Sequence, residues 1–88
     1  MCPNPIIFID PARYKKLTTR EKINRTSKFV IMLYDIDSKL ISTREERKRI
    51  TTIKRYMLEE DLKLMNEKEI SLFKHYNFIN EAGNIIRD

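Results

Sequence analysis

The residues best spaced for chemistry are three carboxylates in YDIDSKLISTREERKR, residues 34 to 49. Asp35 and Asp37 stand two apart and Glu46 follows eleven after the first, matching positions 1, 3 and 12 of a calcium-binding loop. The residues between them break the pattern. Position 6 needs a glycine for its sharp turn and holds Leu40; position 5 needs an oxygen and holds Lys39, whose ammonium repels a cation. Arg44, Arg47 and Arg49 add positive charge. The stretch therefore reads as a corner, with the aspartates turning the chain after one helix and Ser42 or Thr43 capping the next. No metal and no other cofactor is expected.

The remaining reactive side chains are isolated. His75 falls between Phe73 and Tyr76 with no nucleophile or carboxylate at a working distance, and reads as a partly buried structural histidine. Cys2 sits in a proline-flanked terminus without the cationic surroundings that activate a thiol. Glu59, Glu60 and Asp61 point in different directions on helical spacing and read as a solvated face. The one glycine, Gly83, leaves no room for a phosphate-cradling loop. Catalysis is not expected.

The charge pattern offers binding instead. The net charge is +5, unevenly spread. Residues 13 to 28 carry seven cations and one carboxylate, residues 44 to 55 six and two, whereas residues 59 to 69 carry five carboxylates and two cations. Arg13, Lys16, Arg20, Arg25, Arg47 and Arg49 are the candidate contacts to phosphate or to an acidic protein surface. Binding through them would be phosphate-led and salt-dependent. No helix-turn-helix turn, zinc ligand set or aromatic RNA-binding platform accompanies them.

The elements that would position these groups are mainly helical. Residues 1–10 read as an extended arm, since Pro3, Pro5 and Pro11 oppose a helix around the apolar run Ile6 to Ile9. Residues 11–77 read as a helical body and residues 78–88 as a hairpin-like tail. Asp10 before Pro11 starts a short turn through Leu17. Thr18 with Glu21 forms a capping box, so a helix is expected from about Thr19 to Tyr34. Its end, FVIMLY (residues 29 to 34), is apolar all round; periodicity alone does not separate it from a buried strand, but the capping box and the absence of a breaker from Thr19 onward favour helix. Ser42 with Glu45, or Thr43 with Glu46, opens a helix with Ile50, Ile53, Met57, Leu58, Leu62 and Met65 as one stripe. Asn66 with Glu69 opens another through Ile70, Phe73 and Tyr76. Phe78–Ile79 and Ile85–Ile86 then face each other across Asn80 to Asn84. The expected fold is a mainly α, single domain of three to four helices with an extended N-terminal arm and a short C-terminal β-hairpin-like segment.

Eighty-eight residues suffice for one small core. A single cysteine fits a reducing, cytosolic setting, and neither a signal peptide nor a membrane-length apolar run is visible. The apolar supply exceeds what so small a core absorbs, which directs Ile7, Phe8, Ile9, Phe29, Ile31, Tyr34, Phe78 and Ile85 towards contacts with partners.

IFIDPARYKKLTTREK, then an apolar helix ending in MLYDIDSKL, then STREERKR opening a charged helix, resembles small structural proteins of large tailed bacteriophages, crAss-like ones among them. The resemblance covers roughly the first fifty-five residues and rests on pattern. It implies a minor virion component of capsid, neck or tail, bound to larger virion proteins or to copies of itself, in the virion and in the host cytoplasm during assembly. No catalytic or ligand residues carry over. The alternative is a small basic regulator that binds nucleic acid or a host factor. No membrane contact is expected.

Overall fold

A computed structural model describes residues 6–87. Cys2, Pro3 and Pro5, on which part of the expected arm rests, lie outside the described residues. Five helices follow in order: α1 (Pro11–Tyr14), α2 (Thr19–Asp37), α3 (Thr43–Tyr56), α4 (Glu59–Leu62) and α5 (Glu67–His75). The mainly helical expectation holds, with two single-turn helices added to three longer ones.

The helix starts lie where local capping chemistry puts them. Asp10 accepts the Arg13 N–H at 2.8 Å ahead of Pro11. Thr18 and Glu21 exchange hydrogen bonds of 3.2 and 2.9 Å, and Asn66 and Glu69 exchange 2.8 and 3.0 Å. Ser42, rather than Thr43, caps α3 by accepting the Glu45 N–H at 3.2 Å.

Residues 29 to 34 are helix, and α2 runs three residues beyond the expected end at Tyr34. Asp35 and Asp37 therefore belong to the helix itself. It ends in a Schellman arrangement: Lys39 adopts the left-handed conformation (φ 57°), its N–H donates to Ile36 O at 3.1 Å, and the Leu40 N–H donates to Asp35 O at 3.2 Å. Lys39 carries a Cβ where glycine is unstrained. Lys39→Gly is accordingly expected to stabilise the fold by about 1 kcal/mol, raising the unfolding midpoint by roughly 4–8 °C; calorimetry checks this. α5 ends the same way, with Asn77 left-handed (φ 67°) and the Phe78 N–H donating to Phe73 O at 3.0 Å. The Phe73 and Phe78 rings meet edge-on at 5.7 Å, sealing that corner.

The core gathers Phe29, Val30, Leu33 and Ile36 from α2, Ile53 and Met57 at the end of α3, Phe73 from α5, and Ile7, Phe78 and Ile79 from the ends of the described chain. α2 is the central element, contacting both α3 and α4.

Three expectations need correction. The stripe from Ile50 to Met65 is not one helix: α3 stops at Tyr56 and Met57 turns extended (ψ 136°). The Leu58 N–H then donates to Asp61 at 2.9 Å, because Asp61 is drawn inward by a cation on α2. The described part of the N-terminal arm does not extend away from the body. Ile7 and Ile9 are buried, and the carbonyls of Ile6 and Ile7 accept hydrogen bonds from that same cation. The hairpin does not form either, since the described residues contain no strand. Ile79 and Ile85 make a single antiparallel bridge, supported by Ile86 N–H to Phe78 O at 2.8 Å, around Gly83 (φ 85°). The Asn80 N–H donates to Asn84 O at 2.9 Å on the other side of the bridge, while the Ile85 N–H points away from Ile79 and donates to Glu59, and the Arg87 guanidinium turns to the end of α3.

Candidate interaction surface

Arg25 is the cation that organises the interior, and its placement corrects its expected role as a surface contact. Its side chain is fully buried, as is Asp61. Nε donates to both Asp61 oxygens at 3.2 Å; Nη1 donates to Ile6 O at 2.6 Å and Ile7 O at 3.2 Å; Nη2 donates to Tyr56 O at 2.5 Å. The guanidinium also lies 5.4 Å from the Tyr14 ring and 5.2 Å from that of Phe29. One side chain thus joins the N-terminal segment, α1, α2, the end of α3 and α4. Burial pushes the Asp61 carboxyl above the ordinary aspartate range, against the Leu58 N–H, Arg25 and the Thr26 hydroxyl. The Arg87 guanidinium donates to Lys54 O at 2.7 Å and also to Met57 O, so two arginines distant in sequence satisfy the carbonyls at the end of α3.

The carboxylates of the corner between α2 and α3 are engaged within the fold. Asp35 pairs with Arg49 at 2.6 Å, both half-buried, which ties α2 to α3 and engages Arg49 within the chain rather than at an open contact. Asp37 accepts from the Tyr76 hydroxyl at 2.6 Å, an acceptor that raises the phenol's pKa. His75 is exposed rather than partly buried and stands edge-on to Tyr76 at 5.1 Å.

Of the apolar residues expected at a partner interface, Ile7, Ile9, Phe29 and Phe78 are taken into the core and Ile85 is half-buried. Phe8 is exposed at its outer edge but packs on Tyr56 at 5.0 Å. Ile31 and Tyr34 remain on the outside, 57% and 41% exposed, and Ile23, which sequence reasoning passed over, joins them at 49%. The spacing 23, 27, 31, 34 lies on one side of a helix, so these residues and Ser27 form a stripe along the outer face of α2. A groove beside Tyr34 continues it, lined also by Asp37, Lys68, Ser71, Leu72 and His75.

The remaining cations fall in two places. Arg13, Lys16 and Arg20 are exposed around α1 and the start of α2. On α3 the exposed residues Arg44, Arg47, Lys48 and Arg55 share one face, while Glu45 and Glu46 are half-buried. No cluster of potential metal ligands occurs among the described residues, and no helix there is long and apolar enough to cross a membrane. Comparison with family models, curated proteins and solved structures found no match.

Proposed function

We propose that this chain is a non-enzymatic structural or assembly protein that docks through the outer face of α2. The observation that carries this is the stripe of Ile23, Ile31 and Tyr34, three large apolar side chains exposed on the helix whose other face builds the core. Exposed singly, such residues are ordinary; aligned on one rigid helix they form a surface that water solvates poorly. The setting in a bacteriophage virion, with larger virion proteins or copies of the chain as partners, rests on the resemblance of the first fifty-five residues or so to small phage structural proteins.

A second reading draws on the basic face of α3. Arg44, Arg47, Lys48 and Arg55 could follow a phosphate backbone, which would make the protein a small nucleic-acid-binding regulator. Titration with a random-sequence duplex between about 50 and 200 mM salt separates the two. The assembly reading expects weak binding that Arg47→Glu barely changes. Tight binding that falls steeply with salt, with a slope reduced by roughly one in Arg47→Glu, would overturn it in favour of the regulator.

A further inference from the structure

The occupant of the α2 face can be argued from the distribution of charge along it. Arg20 opens the stripe and Asp37 closes it, with Ile23, Ser27, Ile31 and Tyr34 between, over about 25 Å of helix. Arg20 makes no ion pair among the described residues, and neither does Asp37, which accepts from the Tyr76 hydroxyl and shares its groove with Lys68. The stripe is therefore positive at one end, apolar in the middle and negative at the other.

We infer that α2 packs antiparallel against α2 of a second copy of this chain, about a two-fold axis between Ser27 and Ile31. This rests on the assembly reading above and names the partner. A stripe of that polarity is complementary to itself reversed. The register that sets Arg20 against Asp37 of the copy also sets Ile23 against its Tyr34, and symmetry makes each contact twice. Ile31 then lies over Ser27 of the copy, whose small side chain lets the helices approach closely. The groove beside Tyr34 and Leu72 is on the flank where the copy's Ile23 arrives, so an isoleucine fills it while Arg20 reaches Asp37. A parallel arrangement would instead bring like charges together at both ends. Three partly exposed apolar residues a side make a contact smaller than a standard interface, so the dimer is weak, with a Kd of roughly 10 μM to 1 mM.

Mixing tests this directly. In a dimer of the Arg20→Glu variant, both ends of the interface oppose one carboxylate to another; in a dimer of Asp37→Arg, both ends oppose two guanidinium groups. An equimolar mixture of the two variants forms heterodimers in which one end keeps the native pair and the other holds that pair with its charges exchanged. Sedimentation equilibrium from about 10 μM to 1 mM is expected to show wild-type dimers, each single variant weakened on the order of tenfold, and the mixture recovered. The double variant, Arg20→Glu with Asp37→Arg in one chain, should dimerise like the wild type. Both substitutions are exposed and put charges where the helix dipole favours them, so the folds should persist, and circular dichroism checks this. A mixture and a double variant no better than the single variants overturn the antiparallel register. A wild type monomeric throughout overturns the dimer, while the assembly reading still stands or falls on the duplex titration.

Discussion

Arg25→Met is expected to remove most of the stability of this fold. Breaking a buried ion pair from one side costs about 3–5 kcal/mol, since the other charge is left without a partner. Here the same change also strips hydrogen-bond donors from the carbonyls of Ile6, Ile7 and Tyr56, each a further loss of about 1–3 kcal/mol if it stays dry. A domain of this length has only about 4–13 kcal/mol in total. Urea unfolding of Arg25→Met and of the pair Arg25→Met with Asp61→Leu distinguishes an ion pair from a hub. If the two charges were all that mattered, the apolar pair would recover wild-type stability or exceed it. The carbonyl contacts of Arg25, with the Leu58 N–H and Thr26 hydroxyl that lose Asp61, predict instead that the double variant stays about 2–4 kcal/mol below wild type. Full recovery would refute the hub.

Phe29→Ala should cost about 3–5 kcal/mol, whereas Ile31→Ala, two residues along the same apolar run, should cost under about 0.5 kcal/mol. Phe29 is fully buried between the Arg25 guanidinium and the core, and its removal opens a cavity on α2. Ile31 is 57% exposed, so its truncation leaves no enclosed cavity. In thermal unfolding the contrast amounts to a fall of more than about 12 °C against one of a few degrees. Equal losses would mean that residues 29 to 34 are enclosed on all sides and that α2 has no outer face to offer.

That contrast also marks how far the sequence could be read. The capping boxes at Thr18 and Glu21 and at Asn66 and Glu69 were legible because both partners lie three residues apart, and the Ser42 cap was one of two options at its site. The role of Arg25 was not, because Asp61 lies 36 residues away and Tyr56 31. A cation within a basic run looks like a surface charge until the fold brings a carboxylate to it. The same distance hid the break after Tyr56, which depends on Asp61 being drawn inward. Lys39 and Asn77 end helices where a glycine would have been the readable signal. FVIMLY is more apolar than a small core needs, yet which of its residues remain outside depends on the rotation of α2 against its neighbours. Ile23 was missed because a lone isoleucine among cations joins a stripe only once that rotation is known.

The central claim is that α2 serves two purposes on two faces, an inner one that closes the core and an outer one that docks. Sedimentation equilibrium of Ile31→Glu beside the wild type, at concentrations up to about 1 mM, tests it most directly. The account predicts a folded variant at the 10.7 kDa of a single chain while the wild type associates. A variant that associates as the wild type does, or one that fails to fold, would contradict it.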